Sequence, residues 1–266
     1  MKFALSGAGE KIAPTKRARG ICPLCGEEVH ARCGTKYVHH WAHLSGSDCD
    51  PWSSSETQWH RKWKNQFPEL WQEITCISDC SSEIHRADVK TDSGLVLEFQ
   101  HSKIEEPDKL AREHFYKDMF WIVDLSKKIE RKKILKAQLI NNKFTHNRLV
   151  CKNAAEIFPE EWLNRNSIVI FDYLGLEEQS EGSIYNDLFC IIPSIGKKLY
   201  AYILIVNRNE FIEGIKKGTF NFAIKSYTRE LNNILIAEQK LLTGEIQIRT
   251  QRIVPKYRRI RRSRHL

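Results

Sequence analysis

Two cysteines near the start of the chain have the spacing of a metal-binding knuckle. Cys22 and Cys25 are separated by two residues, so both thiolates can bind one ion from a tight turn, and Gly26 lets the backbone curl beneath it. The segment up to Trp52 is rich in Gly, Cys and His and shows little helical or strand periodicity. Segments of this kind usually need a metal to stay folded, so we predict a structural zinc site.

The other two ligands of a tetrahedral site must come from the histidines and cysteines that follow the knuckle. His43 with Cys49 is the first choice, and His40 with His43 is the second. Free thiols with surface histidines are the alternative interpretation, and a rubredoxin-like iron site is an alternative metal centre. The predicted zinc ligands are therefore four of these five residues: Cys22, Cys25, His40, His43 and Cys49.

Two carboxylates form the second candidate centre. Asp88 and Glu98 lie on successive predicted strands joined by Asp92-Ser93-Gly94. If Gly94 takes the left-handed position of a three-residue loop, the register places Asp88 opposite Glu98, with Cβ atoms about 5 Å apart. Carboxylates that close repel unless a cation lies between them, and their oxygens suit Mg²⁺ or Mn²⁺. The alternative is an ordinary sheet whose polar residues face solvent.

Neighbouring residues extend the carboxylate centre. Alternation along the second strand of the hairpin puts Glu98 and Gln100 on one face, opposite Leu97 and Phe99. On the preceding helix, Glu56 and His60 are four residues apart and share one face. Taken alone, a capping acid and a surface histidine would explain this pair.

The elements that position these residues follow from periodicity. Trp59, Trp63 and Phe67 recur at helical spacing after a run of N-cap candidates at 53–56, which predicts a helix ending before Pro68. The next predicted elements are strands at 70–77, 84–91 and 95–101, a helix from Pro107 to Lys117, and a strand at 119–125. The order is helix, three strands, helix, strand.

The remainder of the chain predicts a mixed region. Helices are expected at 127–141, 210–217 and 226–242, and strands at 167–173 and 199–206. The predicted organisation is a zinc module at 1–52, a core at 53–150 and a mixed α/β region at 151–266 that ends in a basic tail. The fold class is α/β with a mixed sheet.

The combination of motifs, in this order, resembles the PD-(D/E)xK nuclease superfamily and, more closely, the competence protein CoiA-like family. The residues that carry the resemblance are Cys22 to Cys25, His40 to His43, Glu56 with Trp59 and His60, His85 to Val89, Glu98 to Ser102, and Trp121 to Asp124. The resemblance spans about residues 20 to 125.

The resemblance implies a restriction-endonuclease-like αβββαβ core. It also implies that Asp88 and Glu98 bind the catalytic metal, that Gln100 occupies the usual lysine position, and that Glu56 assists from the first helix. The sequence departs from the superfamily because Ala87 stands where proline is usual and because the Gln100 amide cannot act as a cation. Lys90, on the strand face of Asp88, or Lys103 is the predicted substitute for the missing charge.

Composition and charge indicate the kind of partner, the cellular compartment and the state of the cysteines. The 266 residues carry a formal charge of +9, which suits a polyanionic partner such as DNA, and 249–266 contains basic but no acidic residues. No secretory signal and no apolar stretch of membrane-spanning length are found, so a cytoplasmic protein that does not enter a membrane is expected. In that compartment the eight cysteines favour metal ligands or buried thiols over disulfides.

The leading functional hypothesis is Mg²⁺-dependent hydrolysis of DNA. In it, Asp88 and Glu98 hold the ion, Gln100 orients the attacking water, and Glu56 supports the metal. The zinc module and the basic tail would bind the DNA backbone. Two alternatives remain, a nucleic-acid-binding protein without catalysis and a zinc-containing interaction adaptor. The sequence attaches no chemistry to residues 151–266.

Overall fold

The protein is described by a computed structural model, which has two β-sheets and five helices in the described residues. The described residues are 1–44, 49–53, 56–78, 82–141, 148–152, 154–163, 165–174, 187–193 and 200–242. The basic tail at 249–266 lies outside them. Within the described part of the chain, no helix is both long and apolar enough to cross a lipid bilayer.

The N-terminal segment forms a five-stranded antiparallel sheet, which the sequence did not predict. Its strands are β1 (Ala4–Leu5), β2 (Lys11–Ile12), β3 (Arg19–Ile21), β4 (Glu28–Arg32) and β5 (His40–His43), in the spatial order β2-β1-β3-β4-β5. Four buried residues form its small core, namely Ala4, Cys22, Val29 and Trp41. Strands of two to five residues are too short to show alternation in the sequence, which explains why they were missed.

The predicted order of helix, three strands, helix and strand is confirmed. The elements are α1 (Gln58–Lys64), β6 (Gln72–Ile77), β7 (Ile84–Lys90), β8 (Val96–Gln100), α2 (Glu106–Tyr116) and β9 (Met119–Asp124). Helix α1 begins later than predicted because Thr57 is its N-cap, with Thr57 Oγ1 accepting a hydrogen bond from the His60 backbone N–H at 3.3 Å.

The second sheet has eight strands and continues into the C-terminal region. The remaining elements are α3 (Ile129–Asn141), β10 (Arg148–Lys152), β11 (Ile168–Asp172), β12 (Asp187–Ile192), β13 (Tyr200–Asn207), α4 (Arg208–Lys216) and α5 (Thr219–Leu242). The strand order is β10-β13-β12-β11-β9-β8-β7-β6, and the sheet therefore crosses the predicted boundary at residue 150 through the parallel pair β9 and β11. The division into domains remains a prediction. Strands β10 and β12 were not predicted.

Helices cover both faces of this sheet. Leu97 and Phe99 of β8 pack in one apolar cluster with Trp59 and Trp63 of α1 and with residues of α4 and α5. Val96 turns to the other face, where it belongs to the cluster that includes Tyr116 of α2. Every residue of β8 is buried, as expected for a strand with packed layers on both sides.

A buried carboxylate ties α1 to the C-terminal part of the sheet. Asp172, at the end of β11, is fully buried, and its Oδ2 accepts hydrogen bonds from the indole N–H groups of Trp59 and Trp63, both at 3.0 Å. Its Oδ1 accepts one from Arg208 at 2.6 Å. The position of α1 thus depends on residues far away in the sequence.

Replacing Asp172 with asparagine is expected to lower the free energy of unfolding by about 3 kcal/mol, because the buried Arg208 guanidinium would lose its ion pair with Asp172. Urea denaturation measures the change. Asp118→Asn is the matched control, since Asp118 pairs with Lys225 at the surface and should contribute less than about 1 kcal/mol. Equal losses in the two variants would contradict the role assigned to Asp172.

Candidate metal centres

The first centre is a cluster of three thiols and one imidazole. The ligand atoms of Cys22, Cys25, His43 and Cys49 lie within 4.8 Å of one another. Strand β3 leads into the knuckle, and β5 ends at His43 beside it. Gly26 takes a φ of +75° and donates its N–H to the Cys22 carbonyl at 2.9 Å, which closes the turn as predicted.

The geometry of this cluster fits a zinc ion. Tetrahedral bonds of about 2.3 Å place two zinc-bound sulfurs about 3.8 Å apart. The Cys22 and Cys49 sulfurs are 3.6 Å apart, and the Cys25 sulfur lies 3.2 Å from Nε2 of His43. His40 stays outside the cluster, with its Nδ1 at 2.8 Å from the Val38 carbonyl. The structure thus brings together the first-choice ligand set and not the second.

The electrostatics of the cluster also favour a cation. Burial, followed by contact with the thiols of Cys22 and Cys25, raises the pKa of the Cys49 thiol. A thiol in this environment gives up its proton when a divalent ion compensates the negative charge. These three cysteines and His43 are the residues that would hold zinc.

The second centre lies on the hairpin of β7 and β8, and its predicted register is confirmed. Val89 pairs with Leu97 and Lys90 with Val96, which is the register that sets Asp88 opposite Glu98. Gly94 has a φ of +88°, and its N–H donates to the Thr91 carbonyl at 2.9 Å. A short local turn therefore determines which side chains meet across the hairpin.

Beyond these two residue pairs, the side chains of Asp88 and Glu98 accept hydrogen bonds from backbone N–H groups of the opposite strand. The Asp88 N–H donates to Oε1 of Glu98 at 3.2 Å, and the Phe99 N–H donates to Oδ2 of Asp88 at 3.0 Å. The two carboxylates therefore face each other between the strands. The Glu98 side chain is buried, whereas the Asp88 side chain is 25% exposed and open to solvent.

When no metal ion is bound, burial and the charge of Asp88 disfavour the ionised form of Glu98. Burial first, and the neighbouring Asp88 second, raise the pKa of Glu98 to about 8. Arg112 of α2 opposes the shift, since its Nη1 donates to Oε2 of Glu98 at 2.9 Å. A second positive charge beside Glu98 would offset the remaining cost of ionising its carboxyl group.

The main cation beside Asp88 is Lys64, a residue that the sequence analysis did not select. Its ammonium nitrogen is 2.6 Å from Oε1 of Glu56, 2.8 Å from Oε1 of Glu73 and 3.6 Å from Oδ1 of Asp88. Although burial opposes it, these carboxylates, Glu73 foremost, raise the pKa of Lys64, so the side chain stays charged. The predicted substitutes lie elsewhere, because Lys103 is an exposed partner of Glu105 and Lys90 lines a different cavity.

Glu73 was also missed, and it links the two sheets. It sits in β6 with a φ of +50°, and both of its carboxylate oxygens accept the Lys2 backbone N–H at 2.8 Å. Burial opposes ionisation, yet Lys64 and Arg86 lower the pKa of Glu73 well below its ordinary value. A positive φ in a strand leaves no reliable trace in a single sequence, so no local signal could have identified this residue.

Asp88, Glu98, Glu56 and Glu73 line one narrow cleft with a volume of about 50 Å³. Its other lining residues are Met1, Asp50, Trp52, Ser53, His60, Lys64, Arg86, Phe99, Arg112 and Tyr116. Gln100 is not among them: it is buried, and its Nε2 donates to the Ser102 carbonyl at 2.8 Å. The structure therefore joins three of the four predicted catalytic residues and leaves Gln100 outside.

The segment after Cys49, the last residue of the thiol cluster, forms a wall of this cleft. Asp50, next to Cys49, contacts Nδ1 of His85 at 2.9 Å and accepts the Arg86 backbone N–H at 2.9 Å. Two residues on, the Trp52 carbonyl accepts a hydrogen bond from Nη2 of Arg112 at 2.7 Å. The Arg112 guanidinium, which binds Glu98, is thus also held by the segment that follows the thiol cluster.

Comparison with known proteins supports the CoiA-like family. The model of the competence protein CoiA N-terminal domain matches residues 9–51, which include the four clustered ligands. No curated protein and no solved structure matches the chain. The match includes the thiol cluster and ends before Glu56, Glu73, Asp88 and Glu98, so it says nothing of these four carboxylates.

The purified chain is expected to contain about one zinc ion, and Cys49→Ser is expected to lose most of it and to unfold at a lower temperature. Elemental analysis and thermal denaturation measure the two effects. Cys33→Ser is the matched control, since the Cys33 sulfur lies outside the cluster, 3.6 Å from the Pro14 carbonyl. Unchanged zinc content in Cys49→Ser would contradict the site.

The raised pKa of Glu98 predicts how the free energy of unfolding depends on pH when no divalent ion occupies the cleft. Its folded pKa of about 8 exceeds its ordinary value of 4.5, so between these values the native state binds more protons than the unfolded state. The free energy of unfolding should therefore fall as pH rises through this window, by at most about 1.4 kcal/mol per pH unit, and level off above it.

Urea denaturation between pH 5 and 9, without added Mg²⁺ or Mn²⁺, tests this dependence. Glu98→Gln removes the titrating group and should flatten this part of the profile, whereas the exposed Glu105→Gln should leave it unchanged. Parallel profiles for wild type and Glu98→Gln would show that the pKa of Glu98 is not raised.

Proposed function

We propose that the chain is a metal-dependent nuclease that hydrolyses phosphodiester bonds in DNA in a competence-related role. The observation that carries the proposal is the meeting of Asp88 and Glu98 across the opened end of the hairpin, beside the buried ammonium of Lys64. Paired carboxylates with an adjacent cation, in a cleft open to solvent, have the composition of a site for metal-assisted phosphoryl hydrolysis. The family match supports the competence-related role.

Asp88 and Glu98 are the residues that would hold Mg²⁺ or Mn²⁺. Asp88 presents a carboxylate to the cleft, and Glu98 gains from any added positive charge because burial disfavours its ionised form. When bound, the ion would neutralise charge on the phosphate and make the attacking water more acidic. Asp88 would orient that ion through the oxygen that does not bind the Phe99 N–H.

In this proposal, Lys64 supplies the positive charge of the superfamily's usual lysine, whose position Gln100 occupies in this sequence. Its ammonium group carries the charge that an amide lacks, and it reaches Asp88 from α1. Glu56 holds this ammonium and also pairs with Arg61, so we assign it to the positioning of Lys64. Gln100 keeps a structural role through its bond to Ser102.

The wall of the cleft would bind the phosphate backbone. Arg86 and Arg112 line it, and both carry positive charge at neutral pH. Arg112 also binds Glu98, so its guanidinium would contact both the substrate and the carboxylate pair. The proposed partner is therefore DNA, with the zinc module adding the wall formed by Asp50 and Trp52.

Cleavage of a plasmid and of labelled oligonucleotides, with Mg²⁺ or Mn²⁺, tests the proposal. Asp88→Asn and Glu98→Gln are each expected to lower the rate by at least about 100-fold, because each removes one of the charges that organise the reaction. The exposed Asp108→Asn in the first turn of α2 is the control and should cleave like wild type.

The outcomes separate the proposal from its alternatives. Equal rates in all variants would place the activity elsewhere. Salt-sensitive DNA binding without cleavage by wild type would favour a nucleic-acid-binding protein. Absence of DNA binding in moderate salt would favour an interaction adaptor.

A further inference from the structure

A second cavity adjoins the carboxylate cleft. It encloses about 460 Å³, a volume within the range of sites that bind small molecules. Strands β6, β7 and β8 form its floor and the C-terminal half of α2 forms one side.

The two spaces share a wall. Trp52 and Tyr116 line both the cavity and the carboxylate cleft, so a molecule that occupies one site touches side chains of the other. Trp52 is held in place by stacking on His85 at 3.3 Å between ring centroids, and Phe115 meets it edge-on at 5.5 Å. The shared wall is therefore aromatic.

The lining combines aromatic side chains with hydrogen-bond donors. Three aromatic side chains stand next to Lys90, His114 and Lys117, against one acid, Glu83. A planar, uncharged heterocycle with carbonyl and ring-nitrogen acceptors matches such a lining. A phosphate would use only the basic groups of this lining, whereas a planar ring also contacts its aromatic side chains.

We propose that this cavity binds one nucleobase of a DNA strand whose phosphate lies in the carboxylate cleft. The inference rests on the proposed function and deepens it, since a base can enter the cavity only when it is unpaired and out of the helical stack. The substrate is then single-stranded DNA or a duplex with an unpaired nucleotide. Lys90 donates to the base and does not serve the reaction.

Filling the cavity tests the proposal without removing any buried side chain. Ala111 lies on the exposed face of α2 and lines the cavity, so Ala111→Trp occupies it. Ala137→Trp, on an exposed position of α3, is the matched control for adding an indole to a helix surface. Phe115→Leu is a second variant, which removes one aromatic face and retains an apolar side chain.

Fluorescence anisotropy measures binding of a labelled single-stranded oligonucleotide, an abasic oligonucleotide of equal length and a duplex, in buffer without Mg²⁺ or Mn²⁺. Base stacking contributes about 1–3 kcal/mol per base, so Ala111→Trp and Phe115→Leu should weaken binding of the single strand about tenfold. The abasic strand should bind wild type and all variants equally, and Ala137→Trp should bind like wild type.

Equal binding of the normal and abasic strands by wild type would overturn the base site, whatever the cleavage assay shows. Tighter binding of the duplex would overturn it as well. Base-dependent binding without cleavage would support the base site and would count against the nuclease proposal alone, so the two failures are distinguishable.

Discussion

The arrangement of the cleft depends on one buried ammonium group. Lys64 lies in contact with Glu56 and Glu73 and within 3.6 Å of Asp88, and burial would disfavour the ionised form of both glutamates without this cation between them. The pKa shifts follow from this arrangement, since Lys64 and both of its close acidic partners stay charged. Glu98 lies beyond its reach and has Arg112 instead, which leaves it the carboxylate with the raised pKa.

Lys64 keeps this position because α1 is fixed by residues of the C-terminal region that pack on the same face of the sheet. The two indoles that bind Asp172 belong to the same helix, and His60 adds a contact between its Nε2 and the Phe99 carbonyl at 2.6 Å. The apolar cluster beneath α1 includes residues of α4 and α5. The C-terminal region, to which the sequence attached no chemistry, thus supports the helix that carries the central cation.

The thiol cluster contributes to the same cleft from the other side. Asp50 and Trp52, which follow Cys49, reach His85, Arg86 and Arg112 through hydrogen bonds between 2.7 and 2.9 Å. Lys2, two residues before β1, donates its backbone N–H to Glu73. A metal that orders this segment therefore acts on the shape of the cleft without touching the carboxylates.

The sequence by itself determined the features that depend on neighbours in the chain. The Gly94 turn set the register that joins Asp88 to Glu98, the knuckle at Cys22 and Cys25 predicted the thiol cluster, and periodicity predicted the order of elements from α1 to β9. Only the tertiary structure decided that His43 and Cys49 complete the cluster in place of His40. It also decided that Lys64 and not Lys90 lies beside Asp88, and that Gln100 lies outside the cleft. Turn geometry and strand alternation act over a few residues, whereas the partners of a buried charge are selected by packing between elements that are distant in the sequence.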